Sequence, residues 1–413
     1  MLSTEDRLFS PFKLGPVILR NRTIRAAAFE GMCPGNKVSE DLISYHRSVA
    51  AGGIGMTTVA YAAIEKSGLS FPHQLLLNKE AIPGLIKLTD TVHKEGAACS
   101  IQIGHCGNMA SRAAAGTRPL APSARINLYG PTFPRRMDET DIKSTVKSFG
   151  QAVHLARESG FDAVEVHAGH GYLISQFLSP YTNRRKDSYG GSLDNRARFM
   201  MMVMEEVKEA AGNDMAVLVK TNTSDGFKGG MELNECLEVA KMLEKSGADA
   251  LVLSGGFVSK APMYVMRGAM PIKVFAYYIE NKLMQFFVRM FGNFLVKEVP
   301  YNEGYFLEDS LKFRNQIKIP LVYVGGLLSR EKIDEVLSKG FELVALARAL
   351  IKDPDFIIKL KKKELSKSEC DICNYCIAVM YSQMATCILN EKKPDPKIKK
   401  MLDKKSQGTW KKF

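Results

Sequence analysis

The stretch GFDAVEVHAGHGYLISQFLSPYTNRRKDSYGGSLDNR, residues 160–196, concentrates more chemistry than any other part of the 413-residue chain. Phe161–His167 reads as a short buried strand. Alternate side chains of a strand face opposite ways, so Val164 and Val166 share an apolar face while Ala163, Glu165 and His167 share the other. The strand hands over to a loop, HAGHGYL, in which Gly169 and Gly171 flank His170. Without a Cβ these glycines let the backbone turn sharply and approach a ligand. Two imidazoles and the phenol of Tyr172 can then converge on one small volume.

On either side of this stretch the same unit recurs. Strand, helix and strand begin at 19–28, 39–51 and 55–60, with Gly52 and Gly53 stopping the helix. A helix at 82–94, a strand at 97–103 and a helix at 141–159 lead into the opening strand. Helix 194–211, strand 215–221, helix 232–245 and strand 249–254 follow it. After an interruption come strand 320–325, helix 329–338 and strand 342–346. Eight strands interleaved with helices over this length fit an α/β fold of the (β/α)8 TIM-barrel type, with an open doubly wound sheet as the rival. Parity favours the barrel: Ile101 and Ile103 oppose Ser100 and Gln102, and Val217 and Val219 oppose Leu218 and Lys220. The first face meets a ring of helices and the second lines the barrel and its mouth. Active sites of such barrels lie at the C-terminal strand ends, where Gln102, His167 and Lys220 fall.

Composition bounds the rest. At 46% hydrophobic the chain can bury a large core, and its net charge of +13 resides largely in lysines at 352–367 and 392–412. No nucleic-acid-reading module accompanies that charge, so nucleic-acid binding is not expected. The opening MLSTEDRLFSPF is too polar for a secretory signal and no apolar run is long enough to span a bilayer, which points to the cytoplasm. The eight cysteines then read as thiols or metal ligands.

Two regions depart from the repeating unit. Residues 257–311, an insertion after the sixth strand, include KVFAYYIENKLMQFFVRMFGNFLVK and are expected to form one or two helices. They read either as a lid or subunit contact in a homo-oligomer, or as a peripheral membrane segment, because basic residues flank the apolar ones. The chain is divided into a barrel, 1–356, and an extension, 357–413. That extension carries Cys370, Cys373, Cys376 and Cys387, a set suited to an iron–sulfur cluster, to zinc or to an unmetallated thiol-rich cap. Residues 391–413, rich in lysine, are expected to be disordered.

Five segments in order resemble the Old Yellow Enzyme family, also called NADH:flavin oxidoreductases: LFSPFKLGPVILRNR from Leu8, SIQIGHCGN from Ser100, the 161–199 segment, VYVGG at 322–326 and LARALIKDPDF at 346–356. The resemblance implies a TIM barrel holding FMN in its mouth, with NADH or NADPH as reductant and a small-molecule substrate. On it, Gln102 bonds the pyrimidine edge of the flavin and Lys220 sits by N1 and O2. Gly325 and Gly326 offer N–H groups to the phosphate, Arg348 adds a charged fork, and Ala26, Ala27 and Ala28 wall the ring. Gly255 and Ala347 complete the cofactor-binding set. His167 and His170 match the pair that holds the substrate oxygen, and Tyr172 matches the proton donor to an electron-poor C=C.

The departures from the family pattern are specific. Where many relatives place Pro, Met and then Thr or Cys, this chain has Ala27, Ala28 and Phe29, and its third-strand motif ends in Asn108 where Arg is usual. The cysteines resemble the [4Fe–4S] ligands of the dienoyl-CoA reductase branch, yet the gap between Cys373 and Cys376 is one residue shorter. No dinucleotide-binding domain fits between Cys387 and Phe413. Two activities follow: direct hydride transfer from NAD(P)H, or an electron-transfer subunit fed by a partner protein.

Overall fold

The computed structural model describes residues 6–127, 132–279, 281–380, 384–390 and 396–398. Eight parallel strands close on themselves: β1 (Thr23–Arg25), β2 (Met56–Ala63), β3 (Ala98–Gly104), β4 (Ala163–His167), β5 (Ala216–Asn222), β6 (Ala250–Ser254), β7 (Leu321–Val324) and β8 (Leu343–Leu346). Each pairs with the next, and β8 pairs with β1. The helices that follow them in turn are α1 (Glu40–Ala51), α2 (Ile82–Lys94), α3 (Glu139–Glu158), α4 (Leu193–Ala211), α5 (Leu233–Lys245), α6 (Leu307–Arg314), α7 (Arg330–Ser338) and α8 (Phe356–Lys361). Side-chain caps start several of them: Ser39, Ser192 and Ser329 accept backbone N–H bonds, and Asp138 with Asp141 forms a capping box at α3.

The parity expected of the strands is what separates the two cores. Ile101, Ile103, Val164, Val166, Val217 and Val219 belong to the cluster shared with the helix ring, whereas Ile24, Met56, Ala163, Leu218 and Val252 fill the barrel. Register then sets the mouth. Gln102 lies opposite Glu165 between β3 and β4, and His167 lies opposite Lys220 between β4 and β5.

Three expectations are corrected in detail. The first strand, expected over 19–28, is shorter: Val17–Leu19 pairs instead with Phe12–Leu14 in a hairpin. The break comes from Asn21, whose Oδ1 accepts from Thr23 N and Oγ1 while its Nδ2 donates to the Gly53 carbonyl. That hairpin sends Leu14 and Leu19 into the barrel interior and closes its floor. The described residues of the insertion form three helices, Pro262–Met266, Ile272–Tyr277 and Lys282–Leu295, where one or two are expected, and its expected boundary at 311 falls inside α6. The tail folds back on the body: Ile372, Cys376, Ile377, Met380 and Ala385 all reach the barrel mouth. Most of 391–413, where disorder is expected, lies outside the described residues; within it Ile398 is buried with Val274 and Tyr375. Among the described residues no helix is long and apolar enough to cross a membrane.

Candidate active site

The C-terminal strand ends surround one cavity of about 230 Å³. Of the residues singled out from sequence, Ala26, Ala27, Ala28, Gln102, His167, His170, Tyr172, Lys220, Gly326, Ala347 and Arg348 line it. Gly255 and Gly325 do not. Gly255 lies behind the wall, where a Cβ would press on Phe306, Thr223 and Tyr264 at 3.2 Å, and the Gly325 carbonyl is taken by the Tyr323 hydroxyl at 3.0 Å.

On one side of the cavity, Glu165 organises the polar floor. Its Oε1 accepts from Gln102 Nε2 at 2.6 Å and from Lys220 Nζ at 2.7 Å, with all three side chains buried. A lone ammonium at this depth would be costly, and the carboxylate neutralises it while leaving further Nζ donors for a ligand. Glu165 is not among the site residues expected from sequence, although its place on the inward face with His167 is a signal for it. A second buried pair holds the alanine wall. Arg25 donates to Glu30, to the Thr58 carbonyl and, at 2.8 Å, to the Ala28 carbonyl, so the segment 26–28 leaves β1 in a fixed direction. Phe29 closes that wall against Phe71 and His73.

On the other side the HAGHGYL loop brings three rings together. His167 and His170 lie 5.2 Å apart centroid to centroid, and His167 and Tyr172 4.2 Å apart. The turn is made by His170 and Gly171, with φ of 59° and 78°. Gly169 instead admits Asn222, whose Oδ1 would lie 2.7 Å from a Cβ there and which accepts from His170 N. Ser254 at the end of β6 sits 2.7 Å from His170 Nε2, and Tyr61 packs edge-on against Tyr172. Burial, then His170, then Lys220 hold His167 well below the usual imidazole range, and burial followed by Lys220 brings His170 down to about 3. Both rings are therefore neutral at pH 7 and can each donate one N–H. His167 Nδ1 is buried without a partner among the described residues.

The far end is cationic. Arg348 follows β8 and donates to Asn374 Oδ1 at 2.7 Å, while Arg267 from the insertion stacks over Tyr264 at 4.6 Å and Tyr305 at 4.8 Å. Arg267 Nε is buried without a partner among the described residues. Gly326 has φ of 70°, and a Cβ there would meet the Tyr305 ring at 2.7 Å. Cys376 touches this cavity and a second, smaller one lined by Arg348, Cys370, Cys373, Asn374 and Cys387. All eight cysteines are free thiols, and among the described residues no three His, Cys, Asp or Glu side chains converge as a metal site.

A flat apolar wall, an amide and an ammonium at one edge, and the Arg348 guanidinium at the other end match the parts of FMN. Arg348, with the backbone of Gly326 beside it on the cavity wall, fits its phosphate. Fold and site thus define an oxidoreductase of the flavin-dependent barrel class. The chain belongs to the NADH:flavin oxidoreductase / NADH oxidase family, whose sequence model matches residues 7–286.

It is 40% identical over 376 residues to the 4,4'-dithiodibutanoate disulfide reductase of Rhodococcus erythropolis, covering 91% of this chain and 93% of that protein. It is 28% identical to the NADH oxidase of Thermoanaerobacter brockii, covering 93% of this chain but 56% of that one, so the chain spans little more than half of that relative. Among solved structures, 2-naphthoyl-CoA reductase in complex with 2-naphthoyl-CoA superposes with a TM-score of 0.79 at 25% identity, over 93% of this chain and 57% of that one. An old yellow enzyme homologue from Zymomonas mobilis shares the fold, with a TM-score of 0.70 at 23% identity over 91% and 96% of the two chains.

Proposed function

We propose that the protein reduces an electron-poor C=C bond, as in an enone or enoyl compound, at the expense of NAD(P)H. The observation that carries this reading is the packing of His170 at 5.2 Å and Tyr172 at 4.2 Å from the His167 ring, on the cavity that Gln102 and Lys220 also face. FMN, when bound, supplies the hydride donor at N5 after reduction by NAD(P)H. Gln102 and Lys220 would hold its pyrimidine edge, and Arg348 would hold its phosphate. Ala26–Ala28 keep one side of the ring dry. His167 and His170, both neutral, donate to the substrate oxygen and stabilise the charge that grows there as hydride reaches the β-carbon. Tyr172 then gives its proton to the α-carbon, a contribution of about 10²- to 10⁴-fold.

The test is anaerobic stopped-flow with Tyr172→Phe. Flavin reduction by NAD(P)H should be retained, and reoxidation by an enone should slow by about 10²-fold or more. Unchanged enone turnover would remove Tyr172 from the role.

The similarity to a disulfide reductase over nearly all of both chains favours a second acceptor, a small organic disulfide. Hydride would add to one sulfur, giving a thiol, as the S–S bond breaks and the other sulfur leaves as thiolate. A thiolate leaves without prior protonation because its pKa is about 8.5. Tyr172→Phe should therefore spare disulfide turnover, and that difference separates the two substrates. The electron-relay reading draws support from Cys376, which borders both cavities. Iron or zinc bound by Cys370, Cys373, Cys376 and Cys387 is checked by elemental analysis of anaerobically purified protein.

A further inference from the structure

A surface helix ordinarily turns its apolar stripe inward. Lys282–Leu295 does the reverse. The side that packs on the body carries Gly292, where a Cβ would meet Ile272 at 2.7 Å, and Gln285, whose Nε2 donates to the Ala276 carbonyl at 3.0 Å. The outer side carries Leu283, Phe286, Met290, Phe294 and Leu295, each 59–77% exposed. Phe287 and Phe291 lie beside them with ring centroids 5.9 Å apart. This is the densest group of exposed large apolar side chains among the described residues, and such patches mark contact surfaces.

Charge identifies what the surface meets. The helix itself carries no Asp or Glu, while its Lys282 and Arg289 are exposed; beyond its end exposed Lys297 stands next to exposed Glu298. Lys273 on the adjacent helix is exposed too, and Lys397 of the tail lies over Tyr277 at 5.9 Å. Two copies packed face to face through this helix would bring Lys282 and Arg289 of each together with no acid on the helix to offset them. An anionic lipid headgroup layer satisfies both properties, with the apolar side chains entering the acyl boundary and the bases remaining among the phosphates.

We propose that helix Lys282–Leu295 docks the protein peripherally on an anionic membrane surface. The two roots of the insertion, Val265 and Met266 on one side and Tyr305 and Phe306 on the other, line the active-site cavity. Docking would therefore hold the barrel mouth close to the lipid.

The experiment is co-sedimentation of the flavin-loaded protein with sucrose-filled vesicles. Binding is expected to vesicles of equal parts phosphatidylcholine and phosphatidylserine, and at least about tenfold weaker to phosphatidylcholine alone. The double variant Phe287→Glu/Phe294→Glu should lose binding by a similar factor. Its flavin content and NAD(P)H oxidation in solution should be unchanged, which shows it folded. Lys282→Glu/Arg289→Glu should abolish the preference for phosphatidylserine. Failure of the parent protein to bind the anionic vesicles, or equal binding by the Phe variant, overturns the proposal. So does a parent dimer that the Phe variant splits into monomers without any vesicle binding, since that assigns the face to a second copy.

Discussion

Glu165 shows how one carboxylate can hold a site together. With Lys220 and Gln102 both bonded to the same oxygen, truncating it leaves a buried ammonium without its counter-charge. Glu165→Ala should lower the unfolding free energy by about 3–5 kcal/mol, measured by urea denaturation, because the uncompensated charge outweighs the lost attraction. The two histidines make a different prediction. Both folded pKa values lie below the unfolded value of about 6.5, that of His170 at about 3, so the unfolded chain binds more protons as pH falls below about 6.5. The stability they contribute is fully present above about pH 6.5 and is lost as pH falls below it. Urea midpoints from pH 8 to 4 should show the decline, and His170→Asn should flatten it. The same neutrality predicts that kcat/KM shows no break near pH 6.5 arising from these rings.

At the scale of elements, the mouth is finished by three segments from distant parts of the chain. Asn374 joins them: its Oδ1 accepts from Arg348 beyond β8, and its Nδ2 donates to the Arg267 and Ala269 carbonyls of the insertion. It adopts φ of 58°, a left-handed conformation that Asn tolerates better than most residues. Asn374→Ala should loosen FMN by about tenfold, read by flavin fluorescence, through lost bonds that fix both arginines. Gly326→Val, which drives side-chain atoms into Tyr305 and Tyr301, should weaken it at least as much. Sequence reading found the strand-borne half of this site, Gln102, His167 and Lys220, because period-two alternation ties a residue's face to its neighbours. It missed Asn374, Arg267 and Tyr305, since which loops meet over a barrel is set by long-range packing that no local pattern records. Glu165 lies between these cases: its face was legible, but the partner sharing its oxygen came from register.

Across the whole molecule, eight strands and their helices could be counted from periodicity because each unit repeats the same local rule. The floor could not, since the Phe12–Leu19 hairpin looks like the lead-in to a barrel strand and is revealed only by where Leu14 and Leu19 go. That stopper has a kinetic consequence. Above that packed interior the cavity at the strand ends is where reductant and acceptor would both have to bind, so they should take turns in it, one leaving before the other enters. Initial rates measured against both should give parallel lines in double-reciprocal plots, and excess acceptor should inhibit by occupying the cavity ahead of NAD(P)H. Converging lines would mean that the two are held at once.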